Sequence, residues 1–270
     1  ATGQDPHPGP LSSQTAQIQS YSFVDRIPVL LLGRGITALG VLRELVPWGV
    51  DTYGISPKSD FASRSRWYQP LPDRVGETAA PTTESLERLL DESKLESAVI
   101  MPCSDHWVSA ASGISEACRK RFFTSLPSRE AAERLQDKGT FAELLRSLSV
   151  HHPETRFLER ADGLRGLRYG EAREWFLRPR DSEKFFGVFG KKAFRVGSEA
   201  DAIQRFETIR EAGLEVILQE YIPGGFDAHY FIDGFRDRHG KISALFARRR
   251  MRIYPPDFGN STAMVTVPHA

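Results

Sequence analysis

The apolar positions follow one order in the first half of the chain and another in the second. Val29–Leu32 is an unbroken apolar run, short enough to be a buried strand. A glycine-bearing turn follows, and Ala38, Leu39, Leu42, Leu45 and Val46 then recur at helical spacing. Residues 50–55 predict a second strand. Thr83–Glu92 predicts a helix with Leu86, Leu89 and Leu90 inward. Residues 98–101 predict a strand, Ser104 and Asp105 a cap, and a helix to about Cys118 comes next. Residues 122–124 complete the series as a short strand. Strands alternating with helices predict a parallel sheet covered on both faces, an α/β arrangement.

From Ser128 the order is different. Residues 128–135 predict a helix capped by Ser128. Within residues 137–155, Phe141, Leu144, Leu145 and Leu148 make one face of a second predicted helix. Residues 174–179 and 216–218 read as strands, and between them lies a capped helix at 198–212 with Ala202, Ile203, Phe206 and Ile209 inward. Residues 228–235 alternate as a strand, 236–240 turn, and 241–254 return as a long strand. Period two places Arg248, Arg250 and Arg252 on one face of it.

Composition narrows the classes. Apolar content of 40% and charged content of 26% are ordinary for a globular protein. A net charge of +1 argues for neither a nucleic-acid nor a membrane-surface partner, and none is expected. No apolar run has transmembrane length and no secretory signal is present. Two cysteines, Cys103 and Cys118, suit a reducing, cytoplasmic setting. Residues 1–24 are rich in Pro, Gly, Gln and Ser and are expected to form a poorly ordered arm. His151 and His152 are adjacent, have no third ligand near, and are taken as loop residues.

Gly33-Arg34-Gly35-Ile36-Thr37-Ala38 opens the first helix as G-x-G-x-x-A, a turn whose helix N-terminus favours an anion. One alternative function rests on it: an NADP-dependent oxidoreductase. The acidic ribose ligand is missing after the second strand, and Asp51 lies at that strand's wrong end. Lys58, Arg64 and Arg66 keep a 2′-phosphate cofactor open. Ser104 and Asp105, at a strand's C-terminal end, are either a helix cap or substrate contacts.

In the second half, Val216-Ile217-Leu218-Gln219-Glu220-Tyr221-Ile222 is a buried extended run, ended by Pro223-Gly224-Gly225. Its wording, Q-E-Y-I-P-G-G-F-D, resembles the adenine hinge of the ATP-grasp enzymes. Asp137-Lys138-Gly139-Thr140-Phe141 with Pro153-Glu154-Thr155 resembles that family's entry helix, and Phe176-Leu177-Arg178-Pro179 its phosphate-facing strand. Ser63 to Tyr68, S-R-S-R-W-Y, resembles a short run in the carboxylate–amine ligase branch, and Asp257 to Thr262 the substrate-side loop.

The resemblance implies a Rossmann-like leading domain with a parallel sheet, followed by a partial α+β ATP-grasp domain, with bounds at 1–24, 25–126 and 127–270. It implies that Glu220, Tyr221 and Ile222 hold adenine and Asp227 the ribose. Lys138, Arg178 and one of Lys191 and Lys192 would take the phosphates, and one of Arg248, Arg250 and Arg252 the triphosphate or acyl phosphate. Residues 185–193 stand in the place of a flexible loop over the phosphates, with only Gly187 and Gly190 as glycines. The implied reaction is ATP-dependent ligation of a small-molecule carboxylate and an amine through an acyl phosphate, with Mg2+.

No E-x-N metal element is present: the single asparagine is Asn260, and Phe258 stands two before it. The expectation is therefore a fragment or a degenerate relative, inactive alone and possibly a homodimer, without assigned metal ligands. Asp227, Asp233 and Asp257 are the first residues to consider for another metal site. A non-catalytic nucleotide-binding module remains the second alternative.

Overall fold

The computed structural model describes residues 27–72, 80–170, 173–180, 182–237, 239–254 and 259–268. The arm expected at 1–24 and Asp257 lie outside the described residues. The chain forms two compact units, Ala1–Leu126 and Pro127–Ala270.

The first unit is a five-stranded, all-parallel sheet. Strands β1 (Val29–Leu32), β2 (Thr52–Gly54), β3 (Gln69–Pro70), β4 (Ala98–Pro102) and β5 (Phe122–Phe123) lie in the order β3-β2-β1-β4-β5. The central place of β1 explains its unbroken apolar run, because both of its faces are covered. Leu30 and Leu32 join Leu86, Leu90, Ile100, Ala111 and Phe122 in one core. Val29 and Leu31 join Leu42 of helix α1 (Gly35–Leu45) in another. Helix α2 (Thr83–Glu92) has the expected limits, and the Thr82 hydroxyl caps it by accepting from the Ser85 amide.

The helix expected to reach Cys118 is two helices, α3 (Asp105–Ser112) and α4 (Glu116–Arg119). Gly113 ends the first, and the Ser115 hydroxyl caps the second. Strand β3, two residues long, carries no periodic signal.

The second unit has two antiparallel sheets. Strands β6 (Thr155–Phe157), β7 (Trp175–Pro179), β8 (Phe194–Val196) and β9 (Val216–Glu220) lie in the order β6-β9-β7-β8. One face, with Trp175, Leu177, Val196, Val216 and Leu218, packs on Ala202, Phe206 and Ile209 of helix α8 (Glu199–Glu211). The other face carries the residues of interest. Helices α5 (Arg129–Gln136) and α6 (Lys138–Ser147) precede this sheet. The second sheet is a meander of β10 (Tyr230–Arg236), β11 (Ile242–Tyr254) and β12 (Asn260–Val267).

Three expectations change here. Residues 182–189 form a helix, α7 (Ser182–Phe189), where a flexible loop was expected. Phe185 and Phe189, one helical turn apart, pack together at 4.8 Å and both meet the Phe194 ring, so the aromatic side chains fix the segment. Helix α6 buries Gly139 and Ala142, while Phe141 and Leu148 of the expected apolar face are exposed. Much of the segment taken as a substrate-side loop is β12, whose first residues are Asn260 and Ser261.

Candidate functional site

Register decides which side chains share the open face of the four-stranded sheet. Phe176 lies opposite Gln219, and Gln219 opposite Thr155. Paired residues point to the same face, and so do residues two apart. Phe176, Arg178, Ile217, Gln219, Thr155 and Phe157 therefore share this face. The Arg178 guanidinium donates from Nη1 to Gln219 Oε1 at 2.6 Å. Gln219 Nε2 donates to Thr155 Oγ1 at 3.0 Å. No carboxylate among the described residues pairs with Arg178, and burial pulls its guanidinium below the ordinary value. A half-buried cation answered only by a neutral amide fits an anionic ligand.

The hinge leaves the end of β9. Glu220 turns to the packed face, opposite Trp175. Its carboxylate accepts from Arg173 Nη2 at 2.8 Å and from the Glu154 amide at 3.0 Å. Arg173 also bonds Glu154 at 2.8 Å and stacks on Trp175, 4.6 Å from its centroid. The Glu220 side chain is thus committed to fixing the hinge. The Tyr221 amide donates to the Glu174 carbonyl at 2.9 Å, and the Tyr221 ring meets Phe176 edge-on at 5.3 Å. Ile222 is 56% exposed, and its amide has no partner among the described residues. Such an amide beside an apolar side chain can meet the edge and face of a planar base. Gly224, at φ +154°, turns the chain toward Asp227, which lies in a short 3-10 turn.

Lys138 is the first residue of α6. Asp137 caps that helix: its Oδ1 accepts from the Gly139 amide at 3.0 Å and the Thr140 amide at 2.8 Å. Its Oδ2 accepts from Arg180 Nε at 2.7 Å. Gly139 is required by packing, since a Cβ there would lie 2.0 Å from the Phe157 ring. The entry helix is thereby held against the open face of the sheet.

The two adjacent lysines separate clearly. Lys191 Nζ sits over the Phe194 ring, 5.9 Å from its centroid. Lys192 Nζ donates to Asn260 Oδ1 on β12. Burial first, and the charge of Arg250 second, pull Lys192 below the ordinary lysine value. Arg250 Nε donates to Ser261 Oγ at 2.7 Å, and its guanidinium lies 5.4 Å from the Phe231 centroid. Arg248 is different, because Asp233 neutralises it through two contacts.

Arg252 departs from the expected face. Arg250 lies opposite Met264, but after a register shift Arg252 lies opposite Ala263. Met264 and Ala263 are neighbours on one strand and point to opposite faces. Arg252 therefore leaves the face that Arg248 and Arg250 share. Of the three arginines, Arg250 alone is next to Lys192 without a carboxylate partner among the described residues.

In the first unit, the G-x-G-x-x-A turn is filled from within. Gly33 and Gly35 have φ of +132° and +78°. The Gly35 amide donates to Asp60 Oδ1 at 3.1 Å, and the Ala62 amide donates to the same oxygen at 2.9 Å. A dinucleotide's pyrophosphate uses the helix N-terminus at this point, and here a carboxylate occupies it. Gly33 also packs tightly, with Cβ of Cys103 3.0 Å from where its own Cβ would be. Ser104 is the N-cap of α3, its hydroxyl accepting from the Trp107 amide, and Asp105 lies in the first turn. His152 bonds the Val150 carbonyl at 2.7 Å. No three His, Cys, Asp or Glu side chains among the described residues cluster as metal ligands. No helix among the described residues is long and apolar enough to cross a membrane.

No protein-family model matches the sequence, and no curated protein does. Solved structures do match the fold. An L-amino acid ligase from Bacillus licheniformis aligns over 92% of this chain and 56% of its own, at 14% identity and a TM-score of 0.60. A carboxyaminoimidazole ribonucleotide synthase from Aspergillus clavatus, solved with ATP, aligns over 84% and 55%, at 14% identity and a TM-score of 0.59. A phosphoribosylglycinamide synthetase from Anaerococcus prevotii aligns over 90% and 55%, at 18% identity and a TM-score of 0.52. The fold is that of the ATP-grasp enzymes. The chain spans about half the length of these matched structures.

Proposed function

We propose that this chain binds ATP through its second unit and serves ATP-dependent ligation of a carboxylate to an amine through an acyl phosphate. One contrast carries the reading. Arg173, Arg180, Arg195 and Arg248 each pair with a carboxylate. Among the described residues, the side-chain hydrogen bonds of Arg178, Lys192 and Arg250 go to neutral oxygens: the Gln219 amide, the Asn260 amide and the Ser261 hydroxyl. Cations kept clear of carboxylates are suited to phosphate, which they bind through charge-assisted hydrogen bonds.

In this reading the Ile222 amide and the Phe176–Tyr221 pair receive the base, and Asp227 takes the ribose. Lys138 at the start of α6 joins Arg178 on the phosphates. Lys192, rather than Lys191, joins them there, and Arg250 faces the triphosphate or acyl phosphate. Bound there, ATP supplies the phosphoryl group that activates the carboxylate. The chain's own contribution is positioning and stabilisation of negative charge. The similar folds of the L-amino acid ligase, the synthase and the synthetase support the reaction class.

Calorimetric titration with ADP and with NADP tests the binding claim. ADP binding with no NADP binding is expected, and tighter NADP binding would overturn it. Phosphate release from ATP in the presence of magnesium and an amino-acid pool then distinguishes a ligase from a module that only binds nucleotide.

A further inference from the structure

Arg178 is held by a chain of hydrogen bonds with only one consistent direction. A guanidinium has donors and no acceptor, so the Gln219 atom facing Arg178 Nη1 at 2.6 Å must be its carbonyl oxygen. The Gln219 amide nitrogen therefore faces Thr155, and the Thr155 oxygen accepts at 3.0 Å. Thr155 in turn gives its hydroxyl proton to the Pro153 carbonyl at 3.0 Å. Each step leaves the next no choice, and a flipped Gln219 amide would set two donors against each other.

The anchor is rigid. Thr155 is 4% exposed, and Gln219 lies between β6 and β7 on a strand that both neighbours pair. Thr155 and Gln219 are 64 residues apart in sequence, so the sheet register brings them together.

We propose that Thr155 and Gln219 are positioning residues for Arg178, aiming its remaining N–H groups out of the open sheet face toward the nucleotide phosphates. The proposal rests on the nucleotide reading for its ligand but not for its geometry. Gln219 suits the task because it is neutral. It fixes the guanidinium through a dipole and leaves the positive charge for the ligand.

The test is Thr155→Val, which keeps the shape and removes the hydroxyl, with Thr155→Ser as the conservative rescue. Gln219→Met gives a second cut of the same chain of bonds. Thermal melting establishes that each variant is folded. The first readout needs no ligand: nitrogen-15 spectra of the Arg178 guanidinium. Slow rotation, with separate Nη signals, is expected in the parent and in Thr155→Ser, and averaged signals in Thr155→Val and Gln219→Met. The second readout is binding. Thr155→Val should weaken ADP about tenfold, the scale of one hydrogen bond, while adenosine affinity is unchanged and Thr155→Ser restores ADP.

Unchanged guanidinium signals in both cut variants would overturn the proposal. So would equal losses for ADP and adenosine, or failure of the serine to rescue. If the signals follow the expected pattern but the parent binds no ADP, the positioning stands and the nucleotide reading falls.

Discussion

Asp137 joins the stability of the entry helix to the placement of Lys138, and two substitutions separate its roles. Asp137→Asn keeps an oxygen for the Gly139 and Thr140 amides and removes the charge facing Arg180. Asp137→Ala removes both. Loss of a helix cap costs about 0.5–2 kcal/mol. The Arg180 pair is partly exposed, with side-chain exposures of 36% and 23%, so screening limits it to about 0.2–1 kcal/mol. Asn should therefore cost under about 1 kcal/mol and Ala about 1–3 kcal/mol. With a urea slope of about 2 kcal/mol per molar, Ala lowers the midpoint by roughly 0.5–1.5 M.

The pH dependence has a definite sign. Burial alone would raise the Asp137 carboxyl, but the hydrogen bonds from Arg180 and the Thr140 amide outweigh it and hold the group below its ordinary value. A depressed folded value gives stability that is present above the unfolded value of about 3.9 and lost as pH falls through the folded value. The gap between parent and Asp137→Ala in urea melts should thus narrow below about pH 4. Equal losses for Asn and Ala at neutral pH would refute the division between cap and charge. A gap that stays constant into acid would refute the assigned linkage.

Other outcomes follow from the same contacts. Arg250→Met should weaken ADP or ATP binding while Arg248→Met changes it little, because Asp233 already holds Arg248; titration calorimetry of the two variants would expose an error in this ranking. Asp60→Ala strips the acceptor from the Gly35 and Ala62 amides and should destabilise the chain by about 1 kcal/mol in thermal melts. Nicotinamide fluorescence titration of Asp60→Ala should still show no NADH binding, since the acid that would hold the ribose 2′-hydroxyl is missing after β2.

Elements with a single, strong period were legible in the sequence. The run Val29–Leu32, the leucines of α2 and the inward residues of α8 have the predicted burial, because one covered face or two dictates the pattern. Helix α7 was not foreseen because the resemblance puts a flexible loop at residues 185–193, although Phe185 and Phe189 stand at helical spacing. Strand β12 was missed although residues 260–267 include Thr262, Val265, Thr266 and Val267, all β-branched.

The departure of Arg252 from the arginine face was not legible, since a bulge adds a residue without marking it in the pattern. Residues of the site could be singled out by type, but their partners could not. Gln219 meets Thr155, Lys192 meets Asn260, and Gly35 meets Asp60 across separations of 64, 68 and 25 residues. Only the strand register and loop path supply those meetings. The same limit applies to Lys191 and Lys192, which differ in the structure by an aromatic ring on one side and a strand end on the other.

The most direct measurement is the difference in affinity between ADP and adenosine, taken by calorimetry for the parent and for a chain carrying Arg178→Met and Lys192→Met. Each charge-assisted contact contributes roughly 1.5–3 kcal/mol, so the parent should prefer ADP by about a hundredfold or more. The double variant should lose most of that preference and keep its adenosine affinity. A parent that binds the two alike, or a double variant that keeps the full preference, would contradict the account.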